Sequence, residues 1–383
     1  MTSIRKKACE FLLIGLACAA IFVPLFWIAD KKIQDEKQRR IERQAREKDE
    51  YNRQINERFE KARKQSEKML ELETKAIERY PIISKIRARG GIVSFDELNP
   101  ERPPIRVSLD SRGSAEDDFP TQDIDDIVVA LGSLPELHEL KLIGFSEKQL
   151  RHVAALRRLT SLSLWNDQIS DAGLENLKTL THLTELRLTN NHITDAGLKH
   201  LQDMSELTIL DLAGNPISGG GLAFLSVQLR LEVLQLRNTQ VDNEGLRHLK
   251  AMTQLHRLSL SGTKITDAGL KQLVDLPNLT NLDLSNTAVT NEGLAQLTRL
   301  TGLKALQLHG TQVTDAGMIH LLGMSQLGFL SLGETKVTAE GLKKLKPLVQ
   351  LHYISATGTS ITPDDVKELT EFMPAIRVNI GSP

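Results

Sequence analysis

The sequence has only two cysteines in 383 residues, Cys9 and Cys18, and both lie in an apolar stretch near the start of the chain. A disulfide framework and a cysteine-based zinc site are therefore excluded for everything after residue 18. Aromatic residues make up only 4% of the chain, whereas leucine recurs throughout. No sign of charge dominates, because 48 basic residues stand against 49 acidic ones. The overall charge therefore gives no indication of nucleic acid as a partner.

One long apolar segment is present, residues 11–29, and its 19 residues include no charged side chain. As a helix it would be about 28 Å long, close to the roughly 30 Å hydrocarbon core of a bilayer. We interpret it as a transmembrane anchor that follows an N-terminal flank, residues 1–10. The alternative is a cleavable signal peptide ending near Ala20, but nine further uncharged, mostly apolar positions disfavour it. Flanking basic residues favour a cytoplasmic array by count, but long domains cross membranes regardless of charge, so the side stays open.

Residues 30–80 contain no glycine or proline and are rich in charged helix formers. Opposite charges recur four residues apart, as in Glu36 and Arg40, which favours one long charged helix. Apolar residues at coiled-coil spacing are convincing only between Ile55 and Met69. This stalk is therefore either a solvated single helix or a weak dimeric coiled coil.

From residue 136 to residue 383 the sequence repeats every 24 residues, and residues 81–135 form an irregular approach to that array. We interpret residues 81–135 as an N-terminal cap with an irregular first repeat, which a solenoid needs to cover its first layer. The alignment is clearest in one apolar column: Leu162, Leu186, Leu210, Leu234, Leu258, Leu282, Leu306, Leu330 and Ile354. A fixed period of this length predicts stacked units that bury their apolar faces only against their neighbours.

Within one repeat, Leu186 and Leu188 have strand spacing, and Thr194 with Asp195 gives a helix-start signal before a short apolar helix. Each unit is therefore predicted as strand, turn and helix, with parallel strands on the concave face and helices on the convex face. The position five residues after each leucine of the column above is polar, and we expect its side chains to bond the turns of adjacent layers: Asp167, Asn191, Asn215, Thr239, Thr263, Thr287, Thr311, Thr335 and Thr359. A glycine column predicts close approach of neighbouring layers: Gly173, Gly197, Gly221, Gly245, Gly269, Gly293, Gly317 and Gly341.

The pattern LxxLxLxxTxITDAGLxxLxxL resembles the leucine-rich repeat of the subtype with a short convex helix, as in ribonuclease inhibitor and F-box leucine-rich-repeat proteins. The segments Thr263–Leu270 and Thr311–Met318 are similar to repeats of bacterial proteins abundant in planctomycetes. The resemblance covers about residues 135–380 and implies a right-handed α/β leucine-rich-repeat solenoid that binds other proteins. Because no F-box-like helical module precedes the array, the resemblance does not imply the adaptor role of F-box proteins.

The sequence shows no pattern typical of catalysis. Its ten histidines have no metal-ligand spacing, and no nucleophile-elbow motif is present. We therefore predict neither an enzyme nor a metal or cofactor site.

The partner is predicted to be a protein or peptide of unknown identity on the concave face, whose mixed charge disfavours nucleic acid. The candidate contact residues there are Trp165, Glu185, Arg187, Asp211, Arg237, Arg257, Phe329 and Tyr353. Two alternatives are left open. The aromatic residues could instead shield the ends of the array. The chain could also be an envelope scaffold that self-associates through its stalk or its repeats.

Overall fold

The computed structural model describes residues 2–95, 105–110, 121–165 and 168–381, without the side chains of residues 2–36, 41, 73, 105 and 121–124. The chain divides into two units, Met1–Thr74 and Lys75–Pro383.

A single helix, α1 at Thr2–Arg79, makes up the first unit and continues into the second. Exposed ion pairs at helical spacing support it, for example Arg43 with Glu47 at 3.3 Å and Arg63 with Glu60 at 3.3 Å. Each such pair contributes only a few tenths of a kcal/mol. Among the residues whose side chains are described, no helix is long and apolar enough to cross a membrane. The side chains of the predicted anchor, residues 11–29, lie outside that description.

The described part of the second unit contains one sheet of thirteen strands in sequence order. The first two strands are antiparallel and every later pair is parallel. The strands are β1 Ile92–Phe95, β2 Ile105–Asp110, β3 Leu137–Ile143, β4 Ser161–Trp165, β5 Glu185–Arg187, β6 Ile209–Asp211, β7 Val233–Gln235, β8 Arg257–Ser259, β9 Asn281–Asp283, β10 Ala305–Gln307, β11 Phe329–Ser331, β12 Tyr353–Ser355 and β13 Arg377–Asn379. The predicted α/β solenoid with a parallel sheet is confirmed.

Short helices return the chain from one strand to the next. The α-helices are α2 Ile82–Ala88, α3 Thr121–Ala130, α4 Glu147–Val153, α5 Asp171–Asn176, α6 Asp195–Leu198, α7 Leu222–Leu225, α8 Asp267–Leu270, α9 Asn291–Gln296, α10 Ala339–Lys343 and α11 Pro363–Phe372. The 3-10 helices are Leu131–Ser133, Leu177–Thr179, Lys199–Leu201, Gly245–Leu249, Leu273–Asp275, Leu297–Arg299 and Gly317–Leu321. In two layers, Gly245–Leu249 and Gly317–Leu321 take the place of an α-helix.

The core is a continuous stack of leucines between the sheet and the helices. Leu186 pairs in register with Leu210, as the 24-residue period requires, and both are completely buried. Burial of one such side chain contributes about 1.5–3 kcal/mol. The same apolar cluster includes Ile83 and Ile86 of α2 and Val107 of β2. The described residues before the regular repeats therefore share one apolar core with the array.

The polar column inside the array behaves differently for asparagine and for threonine. Asn215 donates to Leu188 O at 2.7 Å and accepts from Ile193 N at 3.1 Å, so it links two layers as expected. Thr287 instead donates to Leu284 O of its own layer, at 2.6 Å. The interlayer prediction is therefore confirmed for the asparagines and wrong for the threonines. The threonine hydroxyl is shorter and reaches only the carbonyl three residues before it.

The glycine column marks close contacts between layers, as predicted. A Cβ atom at Gly269 would lie 2.5 Å from Asn243 Oδ1, and one at Gly221 would lie 2.5 Å from Asp195 Oδ1. These oxygens are held in place because they accept a bond from a backbone N–H of the next layer. In each pair the first residue donates its backbone N–H and the second accepts with its side-chain oxygen: Thr194 and Asp171, Ser218 and Asp195, Thr266 and Asn243, Thr290 and Asp267, Thr314 and Asn291, and Thr338 and Asp315. The sequence motif Thr-Asp is thus an interlayer hydrogen bond as well as a helix start.

Candidate partner-binding face

The face predicted to be concave, called the concave face below, consists of the outward-facing residues of the parallel strands, which alternate with the buried leucines. Because the strands pair in register at 24-residue spacing, each outward position becomes a column of neighbouring side chains. The central column reads Lys141, Ser163, Arg187, Asp211, Gln235, Ser259, Asp283, Gln307, Ser331 and Ser355. Its members differ from layer to layer, whereas the leucines beneath them do not.

A recess of about 540 Å³ opens on this face over β3 to β6. Four of the eight predicted contact residues line it: Trp165, Glu185, Arg187 and Asp211. Trp165 is 39% exposed, although tryptophan is mostly buried in folded proteins. The recess therefore combines an accessible aromatic surface with charged side chains.

The acidic side chains of the recess already accept bonds from the protein. Glu185 forms an ion pair with Nε of Arg187, and its second oxygen accepts from Ser161 Oγ at 3.2 Å. Asp211 Oδ1 accepts from the backbone N–H of Ala213 at 2.9 Å. These contacts hold the Glu185 and Asp211 side chains against the sheet.

Seven further residues line the recess that were not contact candidates in the sequence, and three of them lie on its floor or carry charge. Glu139 forms an ion pair with Arg106, with Oε2 and Nε 2.9 Å apart. Lys141 is exposed, and within the described residues its ammonium group has neither a hydrogen bond nor an ion pair. Ser163 lies between Lys141 and Arg187 on the neighbouring strand β4. The 24-residue period predicts that Ser163 and Arg187 are neighbours in one column. It does not predict which ion pair or hydrogen bond each charged side chain forms.

The other four predicted residues lie outside the residues that line the recess. Arg237 and Arg257 are exposed, with Arg257 on β8 between Val233 and Asn281. Phe329 and Tyr353 stack on β11 and β12, with ring centroids 5.5 Å apart and ring planes 5° apart. The eight candidates therefore form one recess, two exposed arginines and one aromatic stack.

Within the described ranges, no three histidine, cysteine, aspartate or glutamate side chains come together in a group that could hold a metal ion.

Two family models match the repeats. The model described as "Leucine rich repeat" matches residues 157–217, and a second, described as "Leucine Rich repeat", matches residues 251–274 and 275–297. Together with the 24-residue period and the parallel sheet, these matches show that the chain contains leucine-rich repeats. They do not single out the planctomycete-type or ribonuclease-inhibitor-like subtype. No curated protein matches the sequence at a significant level.

Solved structures similar to this chain include two internalins from Listeria monocytogenes. The internalin InlF is 19% identical over 66% of this chain and 83% of its own, with a TM-score of 0.47. The internalin C2 is 24% identical over 61% of this chain and 84% of its own, with a TM-score of 0.39. Neither likeness bears on function.

Proposed function

We propose that this chain is a membrane-anchored binding protein that holds a protein or peptide partner on the concave face of its leucine-rich repeats. The observation that carries the proposal is the recess around Trp165, where an accessible ring lies beside Arg187. Tryptophan and arginine are the residue types that most often dominate binding energy at protein interfaces.

The division between framework and variable positions supports a binding role. Leu186, Leu210 and Leu234 occupy the same buried position in consecutive layers and are completely buried. The outward residues that follow them are Arg187, Asp211 and Gln235, which differ in charge. Only such variable positions can encode the identity of a partner. Their mixed charge favours a protein over nucleic acid, which needs a continuous basic surface.

The membrane part of the proposal rests on the sequence of residues 11–29, which is uncharged over a length that spans a bilayer.

The proposed function is tested in two steps with the full chain. A pull-down recovers the partner, and a binding titration then compares two double variants. Trp165→Ala with Arg187→Ala should weaken binding by about 2 kcal/mol or more, which corresponds to about 30-fold. Lys199→Ala with Lys271→Ala, both exposed on the helical side, should leave binding unchanged. Loss of binding in the lysine pair alone would place the partner on the convex side and refute the proposal.

A further inference from the structure

We propose that the recess over β3 to β6 binds an acidic segment of the partner, in which carboxylates lie beside an apolar side chain. This inference rests on the proposed function and specifies the chemistry of the partner at the same site. It follows from which charged groups of the recess are already satisfied and which are not.

Each acidic group of the recess accepts at least one hydrogen bond or ion pair within the protein. All three carboxylates accept a bond from a protein donor: Glu139 from Arg106, Glu185 from Arg187, and Asp211 from a backbone N–H. These donors already offset part of the negative charge that a basic ligand would meet.

The cationic groups, in contrast, have donor capacity left. Lys141 is exposed and has no ion pair or hydrogen bond among the described residues. Arg187 is also exposed, and its only hydrogen bond to a described residue comes from Nε. A guanidinium group has four more N–H donors on its two terminal nitrogens, arranged to match a carboxylate. The unsatisfied donors of the recess thus call for an anionic ligand.

The spacing of these groups suits a peptide. Lys141 on β3 and Arg187 on β5 are separated by β4, so their backbones lie about 10 Å apart. Ser163 lies between them on β4, and its small side chain leaves space between the two cationic side chains. Carboxylates two residues apart in an extended peptide are separated by about 7 Å, and the long lysine and arginine side chains can span the difference. Trp165, two residues beyond Ser163 on the same face, offers apolar surface for a neighbouring side chain.

A polyphosphate or nucleic acid fits the recess less well than a peptide. Glu139, Glu185 and Asp211 place three negative charges around two cations with free donors. Such a balance repels a ligand of high negative charge density, but it accepts one or two carboxylates that each meet a single cation. We therefore commit to an acidic peptide segment, with phosphate compounds as an arm of the test.

The test uses the full chain with Trp27→Phe, so that Trp165 is the only tryptophan and reports on the recess. The probe is the peptide acetyl-Leu-Glu-Leu-Glu-Leu-amide, which carries two carboxylates two residues apart, with its glutamine and lysine analogues and inorganic triphosphate as comparisons. We expect the glutamate peptide to change Trp165 fluorescence saturably and to bind about tenfold more tightly than the glutamine analogue.

A matched pair of variants connects this selectivity to the recess. Lys141→Met removes an unpaired charge without breaking an ion pair, and it should weaken binding of the glutamate peptide about fivefold. Lys141→Glu should weaken it further and should improve binding of the lysine peptide. Lys199→Met, on the helical side, should bind like the unchanged chain.

Equal binding of the glutamate and glutamine peptides, or no effect of Lys141→Met, would overturn the acidic preference while leaving the recess as a peptide site. Stronger competition by triphosphate than by the glutamate peptide would also overturn it. If no peptide changes Trp165 fluorescence, the inference is wrong. The proposed function is then still decided separately, by the Trp165 and Arg187 double variant against the recovered partner.

Discussion

The glycine column gives the most quantitative prediction for this fold, and Gly269 on α8 is its best test. A Cβ atom there would lie 2.5 Å from Asn243 Oδ1 and 3.1 Å from Asn243 Cα. Asn243 cannot simply turn away, because its side chain accepts from Thr266 N at 2.9 Å and donates to Thr266 Oγ1 at 2.8 Å. We therefore expect that even alanine at position 269 destabilises the array.

The magnitude follows from two opposing effects. Alanine in place of glycine within a helix stabilises by about 1 kcal/mol. Displacing Asn243 costs its two hydrogen bonds, at about 1 kcal/mol each, with added strain from overpacking. Gly269→Ala should thus cost a net 1 kcal/mol or somewhat more, as an order of magnitude. Gly269→Leu should cost about 3 kcal/mol or more, because the larger side chain must also displace the neighbouring layer.

The assay is urea unfolding of the full chain with Trp27→Phe, followed by circular dichroism and Trp165 fluorescence. Gly132→Ala is the control, since a Cβ atom at Gly132 in the 3-10 helix Leu131–Ser133 meets no atom within 4 Å. That variant should be neutral or slightly more stable. In an Asn243→Ala background, where both hydrogen bonds are already absent, Gly269→Ala should cost about 2 kcal/mol less than in the unchanged chain. Stabilisation by Gly269→Ala, or no coupling between the two positions, would refute the steric explanation.

Three further predictions test other parts of the structure. Asn215→Leu should lower the free energy of unfolding in urea by about 3 kcal/mol or more, because several buried backbone groups lose their hydrogen-bond partner. Thr287→Val should lower it by about 1 kcal/mol. Equal losses would contradict the interlayer role of asparagine. Hydrogen bonds from the backbone N–H and the hydroxyl of Thr362 lower the pKa of Asp365, so the stability that Asp365 contributes is present above pH 3.8 and is lost as the pH falls towards its folded pKa. Asp365→Asn should therefore make the urea midpoint fall less steeply as the pH is lowered. An unchanged pH dependence of the midpoint would count against this assignment. The full chain should resist extraction from membranes by high salt and carbonate, and a mature chain cleaved within residues 11–29 would exclude the anchor.

The repeat period was sufficient to predict the stacked strands and the buried leucines, because one residue type recurs at one spacing. It was not sufficient to predict the type of each helix. The same four residues, Asn-Glu-Gly-Leu, begin α9 at Asn291 but overlap the start of the 3-10 helix Gly245–Leu249 when they start at Asn243. The bond from the preceding layer does not decide the helix type either. Asn291 accepts from Thr314 N before the 3-10 helix Gly317–Leu321, just as Asp267 accepts from Thr290 N before α9.

The candidate site was predictable to a similar extent. That Phe329 and Tyr353 are neighbours follows directly from the 24-residue register, and their rings stack. The recess around Trp165 depends instead on how individual charges pair. Glu185 could have bonded several groups within its reach, and only the structure shows that it takes Nε of Arg187 while Lys141 is left exposed. Side-chain pairing of this kind depends on distances that a sequence column does not contain.

The central claim, that the partner lies on the concave face, is tested most directly by site-specific photo-crosslinking. A photoreactive side chain at Gln235, which neighbours Asp211 in the central column, is compared with one at Lys199 on the helical side, both in the full chain with the recovered partner. We expect a covalent adduct with the partner from Gln235 and none from Lys199. Adducts from Lys199 with none from Gln235 would contradict the claim.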